Sequence, residues 1–173
     1  EAMLNRQLHP KKSGRVIYLK YFAVAASLAL LVTTAMWFYS NEEEKARKTE
    51  IISNLDNSST GKRLEAVYEF SEAFKKEDQQ IIDVMIDKLL NDKNSNVKIA
   101  IIDALLEFPQ NEQIRKSMIQ ALGQEVQPNV QIKLIKALST LREQRAKEPL
   151  EEIINDEKTF DIVKNNATLA MAN

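Results

Sequence analysis

The feature that most constrains this chain is a self-similarity with a period of 33 residues. The segment Val97-Lys98-Ile99-Ala100-Ile101-Ile102-Asp103-Ala104-Leu105 returns 33 positions later as Val130-Gln131-Ile132-Lys133-Leu134-Ile135-Lys136-Ala137-Leu138. Another 33 positions gives Val163-Lys164-Asn165-Asn166-Ala167-Thr168-Leu169-Ala170-Met171. Each copy carries an apolar stripe at helical spacing, with Ala104, Ala137 or Ala170 where a neighbouring helix must approach closely. Going back 33 positions gives a weaker set, Leu64, Val67, Tyr68 and Ser71.

A second helix precedes each copy. The pattern predicts these helices over 81–92, 114–122 and 150–156, with Pro149 tolerated in the first turn of the last. Leu89-Leu90-Asn91-Asp92 reappears 64 residues on as Ile153-Ile154-Asn155-Asp156. Asn94-Ser95-Asn96 and Gln127-Pro128-Asn129 read as turns inside a pair, with Asn96 and Asn129 as N-caps, and Pro109-Gln110-Asn111 separates pairs. Glu43 to Leu55 opens the first pair and Asn57-Ser58-Ser59-Thr60-Gly61 turns it. One helix pair cannot bury its apolar face alone, but stacked pairs cover each other, so about four pairs are expected over 42–173.

A helix ending Leu-Leu-x-Asp, a polar turn, then Val-Lys-x-Ala-x-x-x-Ala-Leu resembles the HEAT repeat in its short, phycobilisome-lyase-type form. The resemblance covers residues 60–173 and is best at 79–108 and 111–142. The family favours a base after the Val; Lys98 and Lys164 fit, whereas Gln131 departs from it. Tetratricopeptide and ankyrin repeats share the period. The former wants a Trp, but Trp37 lies outside the repeats; the latter wants a Thr-Pro-Leu-His motif, but His9 is the only His. Another helical solenoid and a non-repetitive bundle are the remaining alternatives.

Ahead of the repeats, residues 21–41 carry no charge, and at 1.5 Å per residue they cover about 30 Å. Aromatic residues flank the run: Tyr18, Tyr21 and Phe22 before, Trp37, Phe38 and Tyr39 after. This predicts a transmembrane helix. A cleaved signal peptide is the alternative, disfavoured by the length of the run and its Met36-Trp37-Phe38-Tyr39 end. The small residues Ala23, Ala25, Ala26, Ser27 and Ala29 would allow close helix approach there, without a Gly-x-x-x-Gly motif. Residues 1–20 carry five bases against one acid, while Glu42-Glu43-Glu44 follow the run. That bias places the N-terminus in the cytoplasm and 42–173 in a bacterial periplasm, as a single-pass inner-membrane protein. The opening Glu1 suggests a chain truncated at its N-terminus. A basic segment, one span and an outer HEAT-like domain resemble, in architecture only, membrane anti-sigma-factor-type regulators. That resemblance implies a sigma factor held by missing N-terminal sequence.

The composition excludes much else. There are no Cys and one His, which removes disulfides, thiolate zinc sites and a Cys nucleophile. Lys+Arg number 24 against 25 Asp+Glu, arguing against a general nucleic-acid binder. No Gly-x-Ser-x-Gly elbow or phosphate-binding Gly loop is present. His9 reads as a solvated residue. Glu42-Glu43-Glu44 and Glu151-Glu152 read as exposed acids at helix starts rather than cation ligands. The Asn57-Ser58-Ser59 and Asn166-Ala167-Thr168 sequons match by chance. Lys11, Lys12, Arg15 and Lys20 set topology or touch lipid headgroups. Met85, Met118 and Met171 read as core.

The expectation is therefore an all-α chain: a basic cytoplasmic segment (1–20), a transmembrane helix (21–41) and a right-handed α-solenoid of about four HEAT-like pairs (42–173). No catalytic, cofactor-binding or metal-ligating residues are expected. The function is a membrane-anchored protein-interaction module, the sensor or scaffold part of an anti-sigma-type regulator; the alternative is an envelope assembly scaffold. Partners are a protein on the solenoid and the lipid bilayer through 21–41, with no nucleic acid.

Overall fold

The computed structural model describes residues 14–73 and 77–172, with side chains from Tyr21 onward except those of 23 and 24. Among the described residues, eight α-helices follow one another: α1 (Gly14–Leu55), α2 (Thr60–Ala73), α3 (Gln79–Asn91), α4 (Ser95–Leu105), α5 (Glu112–Gln124), α6 (Pro128–Thr140), α7 (Lys147–Asn155) and α8 (Asp161–Met171). A 3-10 turn, Gln144–Ala146, leads into α7. The chain divides into two compact units, 1–46 and 47–173. Helix α1 contributes its residues up to Ala46 to the first and those from Arg47 to the second.

In the second unit, helices pair in sequence, and the pairs stack. Helix α3 packs on α4, α5 on α6 and α7 on α8. The odd helices form one layer, with α3 against α5 and α5 against α7; the even helices form the other, α2–α4–α6–α8. The repeating valines Val97, Val130 and Val163 are all fully buried, and Ala104 and Ala137 are buried where neighbouring helices meet them. Met85 and Met118 are core residues. Phe70 and Phe108 meet with ring centroids 5.8 Å apart, tilted by 47°.

The period is not uniform. The even helices begin at Thr60, Ser95, Pro128 and Asp161, steps of 35, 33 and 33. A uniform step of 33 therefore misreads α2. Its buried residues are Ala66, Val67 and Phe70, the counterparts of Ile101, Ile102 and Leu105. Tyr68 is 59% exposed.

Helix starts depart from expectation too. Asn94, not Asn96, caps α4, its side chain accepting from the Asn96 and Val97 amides. Gln127 precedes α6 without a side-chain cap; Pro128 at the first position needs no amide partner. Met171 is 36% exposed rather than core.

The transmembrane assignment of 21–41 is overturned: among the described residues, no helix is long and apolar enough to cross a membrane. The uncharged run lies inside α1. It is diluted by Ser27, Thr33 and Thr34, ends in Tyr39-Ser40-Asn41 and is followed by three glutamates. A span requires about 20 predominantly apolar residues. The two threonines turn their hydroxyls onto the Leu30 and Leu31 carbonyls. With the span goes the placement in a bacterial inner membrane with periplasmic repeats, and the bilayer partnership through 21–41. The resemblance to anti-sigma-type regulators rests on that order of parts and loses its support. His9, Lys11 and Lys12 lie outside the described residues, as do the side chains of Arg15 and Lys20.

Candidate protein-interaction surface

The two layers of the stack differ in what they show to solvent. In α3, α5 and α7 every exposed side chain is polar or charged: for example Asp83, Asp87, Lys116, Gln120, Glu151 and Asn155. Gln79, Gln113 and Asp83 knit this layer together across the α3–α5 boundary. Val84, Leu90, Ile119 and Ile154 of this layer are aliphatic and partly buried. The even helices add apolar groups that are exposed. Their fifth residues are Leu64, Ile99, Ile132 and Asn165. The first three are only partly buried, although each is aliphatic. Tyr68 and Leu169, both ninth residues, are 59% and 66% exposed, and Ile162 is also exposed.

Helical spacing puts the second, fifth, sixth and ninth residues on one face. Two observations place them together. Gly61, Leu64, Glu65, Tyr68, Glu69 and Glu72 line one shallow open groove on α2. Across the next boundary, Lys133 at the sixth position of α6 pairs with Asp103 at the ninth position of α4. The even layer therefore presents an apolar row crossing α2, α4 and α6, extended by Leu169 and Ile162 on α8. Charge along it is sorted: Glu65, Glu69, Glu72 and Asp103 on α2 and α4, Lys133 and Lys136 on α6. Helical periodicity alone does not reveal this row, because Leu64, Ile99 and Ile132 fit the spacing of core residues.

What holds the rows in register is a ladder of ion pairs between repeats. The fourth residue of an even helix reaches the residue that ends the next odd helix. Arg63 of α2 grips Asp92 after α3 with two bonds, Nε–Oδ2 at 2.6 Å and Nη2–Oδ1 at 3.1 Å. Lys98 of α4 reaches Glu125 after α5 at 2.8 Å, with side chains only 11% and 4% exposed. Each acid also accepts from its own turn: Asp92 from the Asn94 amide, Glu125 from the Val126 and Gln127 amides. Burial pushes the Glu125 carboxyl up, but the Lys98 hydrogen bond and charge and the two amides together hold it below the usual range. At α6 the ladder stops, since Gln131 turns to the Glu125 carbonyl instead, at 2.8 Å. Asp156, after α7, binds its own turn through the Lys158 amide and the Thr159 hydroxyl. Lys164 holds the fourth position of α8, beyond which no described helix follows.

A second network ties α5 to the 3-10 turn. Glu143 accepts from Arg115 Nε at 2.9 Å and from Arg145 Nη2 at 2.7 Å, and Arg145 also pairs with Glu112. The Arg145 hydrogen bond holds the Glu143 carboxyl down at about 2 despite its burial, with the Arg145 amide and Arg115 adding to the effect. The same contacts, Glu143 first and then Glu112, raise Arg145. Lys88 binds Asp56 at 2.6 Å, lowering the acid and raising the base. These networks join neighbouring repeats.

The acid pairs noted in the sequence are not at helix starts. Glu42-Glu43-Glu44 lie inside α1, where Glu42 pairs with Lys45 at 3.1 Å, and Glu151-Glu152 sit past the first turn of α7. Among the described residues no group of three or more acids or His is placed to hold a metal ion.

A family model described as HEAT repeats matches residues 82–172, from α3 to the end of α8. No curated protein matches the sequence. The match takes in more than half of the chain and all three complete helix pairs after α2, and it agrees with the alternating layers and the between-repeat ladder: the chain belongs to the HEAT-repeat family.

Proposed function

We propose that the protein is an interaction scaffold that uses the even-helix layer to hold a helical or extended segment of a protein partner. The observation behind this reading is that the large apolar side chains exposed on helices α2 to α8, Tyr68, Ile162, Leu169 and Met171, all lie on even helices, next to the partly buried Leu64, Ile99 and Ile132. Aliphatic and aromatic groups left open on one side of a stacked-helix protein are the usual marks of a docking surface. The charge sorting adds direction. A partner segment would lie with basic residues over α2 and α4 and acidic residues over α6, since the reverse sets like charges against each other.

Site-specific photocrosslinking tests the reading. A photoreactive residue in place of Tyr68, Lys136 or Asn165 is expected to capture a partner band in cells. The same residue in place of Asp87, Lys116 or Glu151 on the opposite layer is expected to capture none. Equal capture from both layers, or capture only from the polar layer, refutes the assignment.

A further inference from the structure

A cleft of about 740 Å³ opens where the C-terminus of α6, the 3-10 turn, the start of α7 and the end of α8 meet. Its apolar lining comes from Leu138, Ala146 and Leu150, all buried, and the partly exposed Met171. Its rim carries Arg142 and Lys147. Helix α6 ends in a paired closure: the Glu143 amide donates to Leu138 O and the Arg142 amide to Ser139 O, each at 3.0 Å. That closure needs a left-handed residue between them, and Arg142 supplies it with φ of 50°. Among the described residues it is the one non-glycine with positive φ. The position ordinarily falls to Gly, for which the left-handed region carries no Cβ penalty.

An arginine there is conformationally costly and gains nothing inside the molecule. Among the described residues no carboxylate pairs with its guanidinium; the one acid lining the cleft, Glu143, is committed to Arg115 and Arg145. Lys147 has only an exposed, 4.0 Å pairing with Glu151. Arg142 and Lys147 thus stand beside aliphatic side chains, at a backbone position that ordinarily takes glycine.

We propose that this cleft binds a carboxylate carried next to an aliphatic side chain, the carboxylate on Arg142 and Lys147 and the aliphatic group on Leu138, Leu150 and Met171. A planar guanidinium suits a carboxylate through two parallel bonds. A chain terminus ending in leucine and a free branched acid present the same chemistry.

Methyl-resolved NMR of the full chain tests it, with N-acetyl-leucine, its neutral amide, and an acetylated tetrapeptide of three glycines and a C-terminal leucine as probes. The acid is expected to shift the Met171, Leu138 and Leu150 methyls saturably, and the amide to bind about tenfold more weakly. Tighter binding of the tetrapeptide assigns the site to chain termini; equal binding assigns it to free acids. Arg142→Gly separates binding from folding, because it relieves the backbone while removing the charge. Affinity is expected to fall about tenfold while the melting temperature holds or rises. Equal binding of acid and amide, undiminished binding by Arg142→Gly, or no saturable shift up to about 50 mM probe overturns the proposal.

Discussion

Replacing Lys98 by Met keeps the methylene stem and removes only the charge, so it isolates the ladder between the second and third repeats. In the intact protein the Lys98 amine lies 2.8 Å from a Glu125 carboxylate that is 4% exposed. Without the amine, that carboxylate retains two amide donors, from Val126 and Gln127, but stays buried and unpaired. Breaking a buried pair from one side costs 3–5 kcal/mol, and the surviving amides place this case near the low end, at about 3 kcal/mol. For a unit of this size that is roughly 10 °C in melting temperature. Glu125→Gln keeps an acceptor for the amides and is expected to cost about 1.5 kcal/mol. The double variant buries no net charge, so its cost falls below the sum of the two by about 1.5 kcal/mol or more. The assay is urea unfolding of the four proteins, followed by circular dichroism at neutral pH. The Lys98→Met penalty also shrinks as the pH drops, because burial then dominates Glu125 and protonation removes the stranded charge. Additive single costs, or a Lys98→Met loss under about 1 kcal/mol, refute the ladder as a buried, coupled pair.

Two further outcomes follow from the same packing. Ala137→Glu forces a charge into a buried helix contact and is expected to cost at least about 4 kcal/mol, unfolding the repeats, whereas Lys136→Glu on the exposed face shifts stability by about 0.5 kcal/mol at most; circular dichroism melts distinguish the two. Glu143, held at about 2 against an ordinary 4.5, contributes stability that is complete above pH 4.5 and is lost as the pH falls from there towards 2. Melting temperature should therefore fall more steeply over that window in the parent protein than in Glu143→Gln, and parallel curves would count against the network.

The repeat was legible because a single requirement, burial between stacked helices, acts on every copy. Val97, Val130 and Val163 satisfy it at the third position of their helices, and Ala104 and Ala137 at the tenth. Residues with two readings were not legible. Leu64, Ile99 and Ile132 obey the core periodicity yet stand at its edge. Asn94 and Asn96 both suit a cap, and only the backbone decides that α4 starts at Ser95. The uncharged run 21–41 has the length of a span in sequence, but among the described residues no helix is long and apolar enough to cross a membrane.

The sequence by itself determined that the chain is helical and that its second half is built from paired helices, because periodicity and the spacing of small residues are local properties that stacking must satisfy. Tertiary structure alone decided which acid meets Lys98 or Arg63, which aliphatic residues remain reachable, and that Arg142 sits strained and unpaired beside a cleft. Those outcomes depend on what a neighbouring repeat covers, and cover across a boundary of about 30 residues is a matter of register between helices, which no single stretch of sequence encodes.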